Sequence, residues 1–318
     1  MPTPSAGDDG PIAIGEQETQ HQALLDELQQ ERSHSSASLV YHYTNDVGLF
    51  EIMRTGHLWL SDYTTLNDPT ELKYGVDIGV DVLNAAVLAR GNMPGDVAFV
   101  AGFNSVLSRG VHSILRGYVL SLSVEGDELT QWRSYANGGT GYCIGFDANV
   151  LDQALIAYGR MPGHQGYGSF EVLYDEPMLR ARMARHVAVS LAALARIVQP
   201  SAGQLRKLGV DLLFAMLYTA LYFKHSAYRS EREYRILLLS SAFSPALSGM
   251  LSRARRNEVV EYLAMDWKSA FIGALQSIMI GPAAHLPTAT AFISKVQTGF
   301  LPSGFPLTVS QSTIPFRV

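Results

Sequence analysis

Cysteine is almost absent from this sequence, whose 318 residues include only Cys143. A single cysteine excludes an intramolecular disulfide and any metal cluster held by several thiolates. Cys143 lies in the apolar segment Gly141–Phe146, where we expect a small buried core residue rather than a nucleophile. The chemistry of this chain is therefore to be sought in other side chains.

Charged residues are also scarce, because they make up 17% of the chain and the formal net charge is −5. This balance gives no electrostatic case for broad nucleic-acid binding, which depends on many contacts to phosphates. Two basic clusters, Arg180–Arg185 and Arg253–Arg256, are interpreted as solvated helix faces.

Long apolar runs and metal-binding motifs are missing as well. No run reaches the roughly 20 residues that a membrane-spanning helix needs, and the polar, acidic first residues do not form an export signal. The histidines show no metal-ligand spacing, and the sequence has no HExxH motif or carboxylate-rich loop. The sequence therefore predicts a cytoplasmic protein without membrane contact and without a metal site.

The apolar fraction, in contrast, is large at 47%, so the chain can bury a substantial core. We predict a disordered N-terminal region over residues 1–38 that contains an amphipathic helix at residues 16–32. Residues 39–318 are predicted to form a single α+β, catalytic-like domain. Strand and helix patterns alternate in it without a strict βαβ rhythm, which disfavours a doubly wound sheet.

Two short polar patterns stand inside apolar, strand-like runs. The first is Val40–Thr44 and the second is Glu231–Leu239. Because residues two apart in a strand point to the same face, His42 projects with Thr44. By the same rule Glu231, Glu233 and Arg235 share one face. If the two strands are close, an imidazole, hydroxyls, carboxylates and a guanidinium meet in one cleft.

Each pattern also has a purely structural interpretation. The alternating Glu231, Glu233 and Arg235 are typical of a solvent-facing strand with cross-strand ion pairs. His42 alone is more often a satisfied core or surface histidine than a functional one. Because the two patterns occur together, a functional site and a purely structural role are equally supported.

Several further motifs accompany these two patterns, and their order resembles a widespread bacterial family that is catalogued only as a domain of unknown function. The resemblance runs from Leu39 to Pro282, and Tyr228 departs from it because the family usually has tryptophan there. The motifs in chain order are Tyr41-His42-Tyr43-Thr44, Asn67-Asp68-Pro69-x-Glu71, Trp132-x-x-Tyr135-Ala136, Glu231-x-Glu233-x-Arg235 and Ile280-Gly281-Pro282.

A second resemblance, over fewer positions, is to ADP-ribosyltransferase domains, and it implies a chemistry. Those enzymes have a histidine or arginine on the first strand, a Ser-x-Ser strand in the middle and a late catalytic glutamate. Here His42, Ser121 with Ser123, and Glu233 within Glu231-x-Glu233 match these positions. The resemblance implies a mixed, mostly antiparallel central sheet, to which this chain adds long helical insertions. It also implies NAD as the substrate.

The resemblance assigns a role to each candidate. Glu233 and Glu231 are the predicted catalytic residues: Glu233 stabilises the oxocarbenium-like ribose, and Glu231 takes a proton from the nucleophile. His42 and Thr44 bind ribose hydroxyls, and Tyr43 stacks on nicotinamide. The remaining predicted binding residues are Ser121, Ser123, Asn67, Trp132 and Arg235. The patterns themselves leave other interpretations open, a helix cap for Asn67 and a core position for Trp132.

The leading functional hypothesis is an NAD-binding enzyme that transfers ADP-ribose to a macromolecular acceptor, protein or nucleic acid, or to water, as a toxin or phage-defence effector. A second hypothesis is a non-catalytic interaction module that docks through the N-terminal helix. In that case the acidic pair should lie on open surface, apart from His42. A third is a metal-independent nuclease with His42 and Glu233 as acid and base, which would need a basic groove.

Overall fold

A mixed sheet of ten strands organises the described part of the chain. The computed structural model describes residues 10–32, 37–65, 71–110, 115–161, 166–241, 249–255 and 257–316. The strands are β1 Leu39–Thr44, β2 His57–Asp62, β3 Leu115–Ser123, β4 Tyr142–Asp147, β5 Gly166–Glu171, β6 Glu233–Ser241, β7 Met250–Arg255, β8 Glu258–Asp266, β9 Leu275–Ile280 and β10 Thr308–Gln311.

The main path through the sheet runs β10-β9-β4-β1-β3-β2-β8-β7, with β6 paired to β3 and β5 paired to β6. All pairs are antiparallel except β10 with β9. The predicted α+β class with a mixed, mostly antiparallel sheet is therefore confirmed.

The sheet splits beside β3. One edge of β3 pairs with β6 along its whole length. A strand has only two edges, so β1 and β2 must share the other one. β2 pairs there with Val119, and β1 pairs with Ser123. The strands β1 and β2 thus diverge, and an opening lies between them.

Nine helices accompany these strands in the described parts of the chain. They are α1 Gly10–Arg32, α2 Asp46–Thr55, α3 Glu71–Ala89, α4 Pro94–Leu107, α5 Leu129–Tyr135, α6 Ala148–Gly159, α7 Glu176–Leu194, α8 Ala202–Ala220 and α9 Leu286–Phe300. None of the helices in the described segments is long and apolar enough to cross a membrane.

Helix α2 spans the split because it connects β1 to β2. The side chain of Asn45 caps it by accepting a hydrogen bond from the backbone N–H of Gly48, at 2.8 Å. Gly56 ends it in the left-handed conformation, with φ at 71°, a geometry that glycine adopts at little cost. Both signals are local to the sequence, since an asparagine before a helix and a glycine after it are common caps.

Two hydrophobic cores flank the sheet. Helices α1, α3, α4, α7 and α8 pack on one face, around residues such as Leu213 and Val119. Helices α2, α6 and α9 pack on the other, around Ile144 and Leu120. The sheet is thus covered on both faces.

Helix α1 corrects the predicted N-terminal boundary. It begins at Gly10 rather than at residue 16, so residues 10–15 are helical where disorder was predicted, and the predicted helix at residues 16–32 is part of it. The helix is also packed rather than free, since its acidic side chains form ion pairs with α7 and α8, such as Glu27 with Arg185 at 2.6 Å. Its buried face consists of Ala13, Gln17, His21, Leu25 and Leu28.

Candidate functional site

A cleft of about 500 Å³ occupies the split between β1 and β2. This volume lies within the usual range for small-molecule and cofactor sites. Strands β1, β2, β3 and β7 and helices α2 and α5 contribute to its wall. The side chains that matter most for its chemistry are His42, Thr44, Trp59, Ser121, Tyr135 and Arg253.

His42 is a half-buried residue of β1 in this wall. Burial lowers its pKa to about 4, and a hydrogen bond to the backbone of Ser121 opposes this shift only in part. The imidazole is therefore neutral at neutral pH, with one nitrogen as donor and the other as acceptor. A neutral ring of this kind suits hydrogen bonding to hydroxyl groups.

Glu233 is the first residue of β6, and its carboxylate is 3% exposed. Its Oε1 accepts hydrogen bonds from Ser121 Oγ at 2.7 Å and from Arg235 Nε at 2.9 Å. Its Oε2 lies 3.1 Å from Lys224 Nζ. Burial alone would raise the pKa of Glu233, but Arg235 and Lys224 outweigh it, so the pKa lies below its ordinary value. Glu233 is thus a fixed, fully ionised carboxylate.

Glu231 does not lie on the strand, which corrects the prediction that it shares a face with Glu233 and Arg235. It ends a 3₁₀ helix over Ser226–Glu231, and Arg232 follows in the left-handed conformation with φ at 42°. The chain therefore turns between the two glutamates.

The two carboxylates nevertheless meet at one cation. Lys224 Nζ lies 2.6 Å from Glu231 Oε2, while the other oxygen of Glu231 accepts a hydrogen bond from Tyr135 at 3.1 Å. We refer to Lys224, Glu231, Glu233 and Arg235 as the ion cluster. Its two positive and two negative charges balance, and it lies directly behind the cleft wall formed by Ser121 and Tyr135.

Ser123 supports the turn before β6 rather than the cleft. Its hydroxyl donates to the carbonyl of Glu231 at 2.8 Å, and Gln131 Nε2 donates to the same carbonyl at 3.2 Å. The backbone N–H of Glu233 donates to the hydroxyl of Tyr174 at 3.0 Å. These bonds fix where both carboxylates point.

Tyr43 and Trp132 are corrections to the predicted binding set, because neither lines the cleft. They pack edge to face in a small buried cluster with Cys143, with ring centroids 4.9 Å apart. The Tyr43 hydroxyl donates to the carbonyl of Glu125 at 2.8 Å. Tyr43 does not line the cleft because successive residues of a strand alternate, so it points to the opposite face from His42. Cys143 is buried, as predicted.

The other predicted residues fall into different places. Thr44 lines the cleft. Arg235 is buried behind the wall, where it binds Glu233 and also donates to the carbonyl of Leu221 at 2.6 Å. Asn67 lies outside the described residues.

Sequence reasoning missed part of the wall. Arg253 and Arg255 belong to β7, not to a solvated helix face, and both line the cleft together with Trp59. Their spacing of two residues, which places both on one face of a strand, was the available signal. Lys224 was not identified as a site residue from the sequence. The described residues contain no group of three or more His, Cys, Asp or Glu side chains that could hold a metal ion.

One family model matches part of this chain. Residues 131–236 match the model of a family described as "protein of unknown function (DUF2971)". The match confirms the resemblance to a family of unknown function and includes Trp132, Tyr135 and the Glu231-x-Glu233-x-Arg235 motif. No curated protein and no solved structure matches the chain. The resemblance to ADP-ribosyltransferases therefore stays a hypothesis.

Proposed function

We propose that the cleft binds NAD and that the protein is an ADP-ribosyltransferase-like enzyme, which cleaves the bond between nicotinamide and ribose. The observation that carries this proposal is the position of Ser121. Its backbone hydrogen-bonds to His42, and its hydroxyl binds Glu233 at 2.7 Å. Ser121 thus connects a cleft residue of the first strand to a late glutamate that lies behind the cleft wall.

The reaction needs a site that stabilises the positive charge that develops on the ribose as nicotinamide leaves. The bond between the nicotinamide nitrogen and ribose C1′ breaks, and its electron pair leaves with nicotinamide. The ribose becomes oxocarbenium-like, as in glycoside cleavage. A nucleophile, either an acceptor side chain or base or a water molecule, then forms the new bond to C1′ and gives up its proton.

His42 and Thr44 fit the task of holding the ribose. The neutral imidazole offers a hydrogen-bond acceptor besides its bond to Ser121, and the Thr44 hydroxyl both donates and accepts. Both residues lie on β1 at the same side of the split. This arrangement supports binding of the ribose next to Ser121.

The two glutamates fit different tasks. Glu233 is held by Ser121, Arg235 and Lys224, so it is best suited to fix the Ser121 hydroxyl and to supply an oriented negative charge near C1′. Among the described residues, the Glu231 carboxylate accepts hydrogen bonds from Tyr135 and Lys224. We assign the proton-accepting role to Glu231.

The interaction-module alternative is less consistent with these positions. It requires the acidic pair on open surface, whereas Glu233 is buried and linked to His42 through Ser121. It also uses the N-terminal helix as a free docking arm, whereas α1 packs against α7 and α8. The nuclease alternative needs Glu233 to exchange protons, which its lowered pKa disfavours. A cytoplasmic toxin or phage-defence effector is the biological role that fits the proposed activity.

The decisive experiment is incubation of the full-length protein with NAD, with and without protein and nucleic-acid acceptors, while released nicotinamide is measured. We expect release by the wild type and loss of release in Glu231→Gln and His42→Ala. Asp81→Asn is the matched control, because Asp81 is exposed on α3 away from the cleft. An absence of both NAD binding and nicotinamide release with every acceptor would rule the proposal out.

A further inference from the structure

Arg253 holds its guanidinium in an unusual position on the cleft wall. The guanidinium carbon lies 4.9 Å from the ring centroid of Trp59 and 5.9 Å from that of Tyr262. One terminal nitrogen donates to the Ser61 hydroxyl at 3.3 Å. The two aromatic rings fix the side chain without neutralising it, since cation–π contacts leave the positive charge in place.

Arg253 is a half-buried cation whose hydrogen-bond donors are only partly satisfied among the described residues. Its Nε is buried without a hydrogen-bond partner. Arg255, two residues along the same strand face, donates to the carbonyl of Thr65. Among the described residues, no carboxylate forms an ion pair with either arginine, and this includes Glu258, the cross-strand neighbour of Arg255.

Other buried cations of the chain form ion pairs with carboxylates. Lys224 and Arg235 are buried and bind Glu231 and Glu233, and the largely buried Arg182 binds Glu31. An unpaired cation that is withdrawn from water costs free energy. Consistent with that cost, burial and the nearby Arg255 lower the pKa of Arg253. Among the described residues, no carboxylate therefore balances the positive charge of Arg253 on the cleft wall.

The charge, the geometry and the location together point to one kind of ligand. A guanidinium presents a planar fork of N–H donors that matches the oxygens of a phosphate group. Two such cations two residues apart fit a diphosphate better than a single carboxylate. The cleft is much larger than an inorganic phosphate, and His42 and Ser121 also line it.

We infer that Arg253, which packs against the rings of Trp59 and Tyr262, forms with Arg255 the subsite for the diphosphate of a nucleotide ligand in the cleft that His42 and Ser121 also line. The identity of that ligand as NAD rests on the proposed function, whereas the affinity for a diphosphate does not. In this arrangement Arg253 is a binding residue and takes no part in proton transfer.

The test is calorimetric titration of the full-length protein with sodium pyrophosphate, ADP-ribose and nicotinamide riboside, the last of which lacks a diphosphate. We expect Arg253→Gln to weaken ADP-ribose and pyrophosphate binding by roughly 10- to 100-fold and to leave nicotinamide riboside binding unchanged. Arg206→Gln is the control, since Arg206 is exposed on α8. Arg253→Lys should restore binding only in part, because lysine keeps the charge but not the fork.

The outcomes separate this inference from the proposed function. ADP-ribose binding that depends on Arg253, without any NAD cleavage, supports the subsite and contradicts the enzyme. NAD cleavage with an unchanged KM for NAD in Arg253→Gln supports the enzyme and contradicts the subsite. If Arg253→Gln does not fold, the salt dependence of pyrophosphate binding to the wild type decides, because an ionic subsite must weaken as salt rises. Tighter binding of a single-stranded oligonucleotide than of ADP-ribose would overturn the assignment to a small diphosphate.

Discussion

The hydroxyl of Ser121 donates a 2.7 Å hydrogen bond to Oε1 of Glu233, and this bond connects the wall of the cleft to the ion cluster behind it. The two residues are on neighbouring strands, β3 and β6, where Ser123 rather than Ser121 is the direct register partner of Glu233. The contact is therefore a diagonal one across the pair. Ser121 and Tyr135 line the cleft and also bind carboxylates of the ion cluster, so a change in the cluster can reach the cleft through them.

Removal of the Ser121 hydroxyl should separate the cleft from the cluster. In Ser121→Ala, Glu233 keeps Arg235 and Lys224 and stays ionised, so we expect a loss of only about 1–3 kcal/mol in the free energy of unfolding. Nicotinamide release should fall more than this stability loss explains, because the carboxylate is no longer fixed toward the cleft. Urea unfolding and the NAD assay measure the two effects. Ser134→Ala, at an exposed site on α5, is the control, and wild-type turnover in Ser121→Ala would contradict the assigned link.

The ion cluster should show strong energetic coupling. Glu233→Gln leaves two buried cations with the single carboxylate of Glu231, and we expect a loss of about 3–5 kcal/mol in the free energy of unfolding. Adding Arg235→Met removes the excess charge, and Lys224 can then pair with Glu231 at its present 2.6 Å. The double variant should therefore be more stable than Glu233→Gln alone. A double-mutant cycle by urea denaturation measures this coupling, and additive losses would show that the charges do not act together.

The part of the site that follows from local signals could be predicted from the sequence. The cap at Asn45 and the stop at Gly56 are local, and they determine α2 and hence the start of β2. His42 and Glu233 were also identified, because alternation in a strand places polar side chains on a known face. The proximity of His42 and Glu233 in the folded protein depends on the order of strands in the sheet, which no local pattern specifies.

The errors have physical causes. Glu231 was placed on the strand because nothing in the sequence marks Arg232 as a left-handed residue, a conformation that glycine or asparagine would have suggested. The β7–β8 hairpin was missed because residues 250–255 are mostly polar or exposed and lack a clear hydrophobic period. Without that hairpin, Arg253 could not be placed at the cleft. The helix α1 was underestimated because Gln17 and His21 interrupt its apolar stripe.

Ligand binding should not change with pH through titration of His42. Since burial lowers its pKa to about 4, the ring stays neutral from about pH 5 to pH 8, and no titration with a midpoint near 6.5 is expected. NAD affinity should therefore change little over this range. The measurement is best made by calorimetry in His57→Gln, because His57 also lines the cleft. A midpoint near pH 6.5 in that variant, lost on adding His42→Gln, would show that His42 titrates normally.

Cys143 should be inert in the native protein. Its side chain is 1% exposed on β4, and burial raises the pKa of the thiol, although the hydrogen bond with Tyr43 acts against this. Thiolate is the reactive form, so Ellman's reagent should label almost no thiol in native buffer and one thiol per chain in concentrated urea. Slow labelling in native buffer would report opening of β4 from β1. Labelling at the rate of free cysteine would contradict the burial.

Acid should destabilise the fold through a histidine pair far from the cleft. His21 on α1 and His186 on α7 lie with their Nδ1 atoms 3.0 Å apart, and His186 also contacts the Thr219 hydroxyl at 3.1 Å. Burial, then Lys207, lowers the pKa of His21 to about 4. Burial, then His21 and nearby arginines, lowers that of His186 to about 3. Both rings are thus neutral in the folded protein at pH 5–7.

The sign of the effect follows from proton binding. Below about pH 6.5 the unfolded chain protonates both histidines while the folded protein does not, so the free energy of unfolding must fall as pH drops toward 4. Each histidine contributes a slope of about 1 kcal/mol per pH unit near pH 5.5. We expect His186→Gln to reduce the slope by that amount in urea unfolding between about pH 5 and pH 6. His285→Gln, at an exposed histidine, should leave it unchanged. An equal slope in His186→Gln and wild type would mean that His186 is already protonated in the folded state.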